Sequence, residues 1–151
     1  MQRSIIDKRT LKPLFLLALF VIYSALNSIY IFLPPLAGVL YLLFSRAKKS
    51  QDIYILILVI VAMLIFEAQN GYILLSLVFY FLFMDKFLMP KVDSVFSCYS
   101  CKNFLMVFFS YIGFYIFYML IAKIFMIDEP DISFLVLYYI ALEFFIVGLF
   151  L

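Results

Sequence analysis

Few residues of this chain could do chemistry, and the most unusual of them is a carboxylate in an apolar segment. Glu143 lies inside YYIALEFFIVGLFL (138–151), where the surrounding residues are aliphatic, aromatic or small. The chain contains no histidine and only two cysteines, Cys98 and Cys101. Structural zinc sites usually take four His or Cys ligands, and catalytic proton transfer most often uses histidine. The sequence therefore predicts neither an enzyme nor a bound cofactor.

The two cysteines form a C-x-x-C pair, a spacing that occurs in metal and redox sites. Two ligands do not close a zinc site, so metal binding here would require a second chain. The loop that contains both cysteines is predicted below to be cytoplasmic, and a permanent disulfide is not expected in that reducing compartment. We interpret Cys98 and Cys101 as two free thiols.

The composition indicates a membrane protein. Hydrophobic residues make up 69% of the 151 residues and charged residues 13%, whereas an ordinary soluble domain is about half apolar and about a quarter charged. The net charge of +2 is too small to indicate nucleic-acid binding. We predict a single all-α membrane domain over 1–151, with about six short transmembrane helices in one bundle. The predicted segments are 14–28, 36–45, 53–66, 72–84, 104–126 and 132–151.

The basic residues are distributed unevenly between the predicted loops. Ten of the eleven lie in the amino terminus (1–13) and in the loops 45–51 and 85–103. By the positive-inside rule these three segments are cytoplasmic, which places both termini on the cytoplasmic side of the membrane. The 85–103 loop has apolar residues at helical spacing, so it either lies along the membrane interface or packs on the bundle as a loop.

The first two predicted helices fit the bilayer poorly. The span 14–45 contains 32 residues, and two complete crossings need about 40 at 1.5 Å per residue. Pro34 and Pro35 disfavour helix before them and suit the first turn of the second helix. We expect two short helices packed inside the bundle, the alternative being a hairpin that does not fully cross.

Glu143 lies eleven residues after Ile132, the predicted outer end of the last helix, which places it about 16 Å deep. A charged group there costs at least about 2.5 kcal/mol, so the side chain should face protein or water. Helical spacing puts a candidate polar seam near it, with hydroxyls that could satisfy the carboxyl. The members of this seam are Glu143, Tyr139, Tyr111, Tyr115, Tyr118, Ser110, Tyr72, Ser76 and Tyr80. Glu143 is then either a neutral acid bonded within the bundle or a contact for a partner helix or a transported species. Glu67, in the outer turn 67–71, is expected to be a solvated cap between helices.

The segments that carry a family resemblance are FLPPLAGVLYLLF (32–44), IFEAQNG (65–71) and YILLSLVFYFLF (72–83). In this order, with a basic loop after the first, they resemble MreD, the membrane subunit of the bacterial rod-shape machinery. Pro34 or Pro35 falls where that family carries F-x-P, Glu67 where it often has Asp, and Gly71 near a loop glycine. The resemblance implies a fold like the substrate-binding subunits of energy-coupling-factor transporters. It also implies binding to the single-span MreC scaffold, which is linked to MreB filaments and peptidoglycan synthases.

Two functions follow as hypotheses. The first is a non-enzymatic scaffold subunit that docks a partner's transmembrane helix, with Gly38, Gly113 and Gly148 permitting close approach. The second is a small-molecule or lipid carrier in which the tyrosine and glutamate seam lines a cavity.

Overall fold

A computed structural model describes residues 7–131 and 133–150, and this part of the chain is helical without any strand. The helices are α1 (Asp7–Ile29), α2 (Ala37–Ser50), α3 (Ile53–Asn70), α4 (Ser76–Phe83), α5 (Met89–Val95), α6 (Tyr99–Phe108), α7 (Phe114–Phe125) and α8 (Leu135–Phe150). Two π-helical turns, Met84–Leu88 and Phe109–Gly113, join α4 to α5 and α6 to α7 without a break. The described residues therefore form six helical rods.

The prediction of an all-helical fold with six helices is confirmed. Three stretches are long and apolar enough to cross a membrane, namely Leu11–Ile29, Ile53–Asn70 and Tyr99–Phe125. Of the first two helices only α2 is short. Its 14 residues extend about 21 Å, less than the hydrocarbon core of about 30 Å.

The segment 85–103 is mostly not a loop. The first π turn and α5 continue the α4 rod as far as Val95, and α6 begins at Tyr99. Within α5 only Val92 is buried, at 7% exposure. Lys48 in α2 forms an ion pair with Asp85 in the π turn. The basic end of the bundle is thus a helical extension that is tied to α2.

In the bundle, α3 packs against α1 and α2, α6 packs against α2 and α8, and α4 packs on α3 and α7. The centre of the bundle is aromatic and aliphatic, with Tyr41 and Phe81 in edge-to-face contact at 5.2 Å between ring centroids. By contrast, α1 lies at the periphery, since only 6% of the residues in its apolar stretch within Leu11–Ile29 are buried. The polar residues considered next lie between the inner helices.

Several helix boundaries have a residue in the left-handed conformation. At the end of α3, Gly71 adopts the left-handed conformation (φ 70°) and the Tyr72 N–H donates to the Glu67 carbonyl, which is a Schellman ending. At the starts of α2 and α4, however, the left-handed residues are leucines, Leu36 (φ 57°) and Leu75 (φ 71°). This conformation costs roughly 1–2 kcal/mol for a residue with a Cβ. Other contacts must therefore stabilise these two helix starts.

Candidate functional site

Glu67 provides such a contact for α4. Its side chain is fully buried at the end of α3. Oε2 accepts the Leu75 N–H at 2.6 Å, and Oε1 accepts the Ser76 hydroxyl at 3.1 Å and the Leu77 N–H. The two backbone N–H groups are among the otherwise unpaired donors of a helix N-terminus, where a negative charge is favourable. Glu67 is a cap, as predicted, but the prediction that it is solvated is wrong.

The burial of Glu67 has a signal in the sequence that our prediction missed. Val59 and Met63 are buried in α3, and Glu67 follows them at the same spacing of four residues. Residues four apart share a face of a helix. The side chain therefore continues the core-facing stripe of α3.

Glu143 plays the same role for α2. It is fully buried in α8, and its Oε1 accepts the Val39 N–H at 2.6 Å. A Cβ on Gly38 would lie 3.0 Å from Oε1 and 3.3 Å from Cδ of Glu143. Gly38 is thus the residue that lets the carboxylate approach the helix start. In both cases a glutamate from another helix caps a helix that follows a left-handed leucine.

One oxygen of Glu143 is left over. Tyr111 lies beside Glu143, and two buried side-chain oxygens in the described part of the chain lack a hydrogen-bond partner, namely Tyr111 Oη and Glu143 Oε2. A buried polar atom without a partner costs about 1–3 kcal/mol. These two neighbouring groups therefore form an unsatisfied polar site, which a slight rotation, a water or a ligand would satisfy.

Three other tyrosine hydroxyls of the seam, those of Tyr139, Tyr115 and Tyr80, bind backbone carbonyls, which differs from the expectation that they satisfy Glu143. Tyr139 donates to the Ile31 carbonyl, and Tyr115 donates to the Pro130 carbonyl at 2.8 Å. Both carbonyls belong to loops. Tyrosine side chains are long enough to leave the face on which the helix places them, so spacing alone did not identify these partners.

Tyr80 binds the second π turn. Its hydroxyl donates to the Phe109 carbonyl at 2.6 Å, and a Cβ on Gly113 would overlap the same hydroxyl oxygen. The space beside Gly113 is therefore filled by another side chain of the same chain, as is the space beside Gly38. Gly148 differs from both, because nothing lies within 4 Å of where its Cβ would be. Of the three glycines predicted to dock a partner, only Gly148 presents a free surface.

Two other members of the predicted seam, Tyr72 and Tyr118, meet through their aromatic rings. Tyr72 contacts Tyr118 at 4.9 Å and Phe114 at 5.4 Å between ring centroids. Ser110 bonds back to the Met106 carbonyl of its own helix. Edge-to-face pairs of this kind contribute about 0.5–1.5 kcal/mol beyond burial. This part of the seam is mainly a packing contact.

A cavity of about 170 Å³ lies along the seam, at the end of the bundle that carries the Pro35, Asn70 and Pro130 loops. Six of the nine predicted seam residues line it: Tyr72, Ser110, Tyr111, Tyr115, Tyr118 and Tyr139. For comparison, a dry cavity of about 150 Å³ accommodates benzene. The cavity therefore has room for one small organic molecule or for several waters.

The two cysteines lie at the opposite end. Both are exposed free thiols, and Cys98 directly precedes the first residue of α6. A hydrogen bond from the Cys101 thiol lowers the pKa of Cys98. No cluster of three potential metal ligands occurs within 7–131 and 133–150.

Comparisons with known proteins add no assignment to this geometry. No protein-family model matches the chain, and no curated protein and no solved structure matches it either. The functional conclusions rest on the residues themselves.

Proposed function

We propose that the protein is a non-enzymatic assembly subunit of the bacterial inner membrane, of the MreD kind, which docks the transmembrane helix of a single-span, MreC-like partner in the cell-elongation machinery. The proposal includes a fold like the substrate-binding subunits of energy-coupling-factor transporters and cytoplasmic termini. It is supported by the way the polar residues are used. Glu67 and Glu143 cap helices of the same chain, so the strongest polar groups stabilise the bundle.

The observation that carries the proposal is the outer face of α8. Leu137, Ala141, Phe145 and Gly148 recur at helical spacing and are all exposed. In lipid, helices associate through packing, and small residues allow their backbones to approach closely. Ala141 and Gly148 are two such residues, seven apart, on a face that no other described helix covers. An apolar helix of a second protein fits this face.

The test is co-purification from native membranes. Gly148→Leu and Ala141→Leu place bulky side chains on the proposed interface and should reduce the recovered partner about tenfold or more. Ala18→Leu, at an exposed position of the peripheral helix α1, is the matched control and should recover the partner normally. A wild-type chain that always isolates alone, or a control as defective as Gly148→Leu, would refute the docking face.

The tyrosine cavity favours a second candidate, a carrier of a small organic molecule. Aromatic residues form much of its lining, and one of them is Tyr111, whose hydroxyl has no hydrogen-bond partner. This candidate predicts that Tyr111→Phe and Tyr115→Phe weaken ligand binding while the protein still folds. Thermal shifts with a panel of small aromatic compounds and amines measure this, and wild-type shifts in both variants would eliminate the candidate.

A further inference from the structure

A groove at the basic end of the bundle is independent of both proposed functions. It lies between α1 and α2, which both pack against α3. Its wide part has a volume of about 960 Å³ and is lined by Lys12 of α1, by Arg46 and Ser50 of α2, and by Asp52 just before α3. The remaining lining is mostly apolar. The wide part therefore combines two cationic side chains with an apolar wall.

Neither cation of this groove forms an ion pair among the residues that the structure describes, and one acid in the lining offsets only part of their charge. The ion pairs among the residues that the structure describes are Lys48–Asp85, Lys102–Asp93 and Lys123–Glu129. Neither Lys12 nor Arg46 takes part in these pairs. With Asp52 counted, the three charged side chains of the lining sum to +1. An anion is the complementary occupant.

The groove continues between α1, α2 and α3 as a narrow apolar channel of about 60 Å³, which has room for part of an acyl chain. The narrow part shares Pro13, Leu16, Leu43 and Ile55 with the wide part. It then runs deeper along all three helices, lined by Leu17, Phe20, Leu40, Leu58, Val59 and Ala62. Ala62 is nine residues into α3, which is about 14 Å along the helix axis. The ligand that matches this shape has an anionic head and a hydrocarbon tail.

We propose that this groove binds one anionic phospholipid, with the phosphate at Lys12 and Arg46 and an acyl chain along the channel. Basic pockets between transmembrane helices bind anionic lipid headgroups by this combination of charge and depth. A free phosphate would use the cations but leave the channel empty. A zwitterionic lipid would fill the channel but gain less from the excess positive charge.

The experiment is native mass spectrometry of the full chain in detergent, titrated separately with phosphatidylglycerol, phosphatidylethanolamine and phosphatidylcholine. Phosphatidylglycerol should bind at least tenfold more tightly than the other two. The double variant Lys12→Gln/Arg46→Gln should weaken its binding about 30-fold, since each basic residue near the headgroup contributes about a factor of five. Lys86→Gln/Lys91→Gln, at the same end but outside the groove, is the charge-matched control and should bind as the wild type does.

Two further measurements separate the head from the tail. Leu16→Trp fills the junction between the two parts and should weaken phosphatidylglycerol binding at least fivefold without changing any basic residue. Inorganic phosphate at millimolar concentration should not displace the lipid. Equal affinity for the three lipids, equal losses in the two double variants, unchanged binding in Leu16→Trp, or displacement by phosphate would each overturn the proposal. Unchanged helicity by circular dichroism shows that the variants are folded.

Discussion

The two buried glutamates differ in how many of their hydrogen bonds a glutamine could keep, and this difference is measurable. At position 67 both carboxylate oxygens accept, and one of them accepts two donors. Glutamine offers one oxygen and one amide nitrogen, which is itself a donor. At position 143 only Oε1 has a partner, and Oε2 has none. The same substitution should therefore have unequal effects.

For Glu67→Gln, the best orientation keeps the amide oxygen on Ser76 and Leu77 and turns the amide nitrogen toward the Leu75 N–H. One charge-assisted bond is lost, and two buried donors face each other. Hydrogen bonds to charged groups contribute about 1.5–3 kcal/mol. We expect the free energy of unfolding to fall by about 2–3 kcal/mol.

For Glu143→Gln, the amide oxygen takes the place of Oε1 and keeps the Val39 N–H. The amide nitrogen replaces the unpartnered Oε2 and can donate to the neighbouring Tyr111 hydroxyl. The hydrogen bond gained with Tyr111 joins two neutral groups and contributes about 0.5–1.5 kcal/mol. This gain offsets the weaker hydrogen bond from the Val39 N–H. We expect a change of less than about 1 kcal/mol.

Denaturant unfolding in mixed micelles, followed by circular dichroism, measures both free energies. Hydrogen exchange at the start of α4 should rise in the position-67 variant and stay unchanged in the position-143 variant. Glu129→Gln, which alters an exposed acid with 46% of its side-chain surface accessible, is the control. Equal losses at the two buried positions, or a larger loss at position 143, would refute the reasoning about the caps.

Three further outcomes are expected. Gly113→Ala should lower the free energy of unfolding by about 1–3 kcal/mol, because its Cβ overlaps the Tyr80 hydroxyl, and Tyr80→Phe in the same chain should recover part of the loss by removing that oxygen. Independent, fully additive losses in the double variant would contradict this contact. Gln51→Gly should raise the thermal midpoint in detergent, with a gain of up to about 1 kcal/mol, because Gln51 is left-handed (φ 57°); Gln51→Ala keeps the strain and should give no gain. Cys101→Ala should slow the alkylation of Cys98 by iodoacetamide at pH 7, because the hydrogen bond that lowers the pKa of Cys98 is lost; an unchanged rate would show that the thiols do not interact.

The helical rods were predictable from the sequence because they depend on local patterns. Long apolar stretches, the prolines at 34 and 35 and the glycine at 71 mark where helices start and stop. The orientation inferred from the basic loops stays a prediction. The extension of helix through Met84–Leu88 was missed because polar residues in this region suggested a loop.

The contacts of the polar residues were not predictable, because they are tertiary. Glu143 is 104 residues from the amide that it caps, and spacing within α8 carries no information on α2. The left-handed leucines also lack a local signal, since leucine rarely adopts this conformation. Only the stripe that leads to Glu67 could have indicated its burial.

The π turn at Phe109–Gly113 determines how the helix would respond to the deletion of one residue. Met106, Ser110, Phe114, Tyr118 and Ala122 are all buried and are spaced by four residues. On a regular α-helix that spacing drifts by about 40° per step, or about 160° over the series. A π turn takes up one additional residue and cancels about 100° of this drift. Deleting a single amino acid within the turn would remove this additional residue and leave a regular α-helix, so that Phe114 and Tyr118 would still face the interior of the bundle.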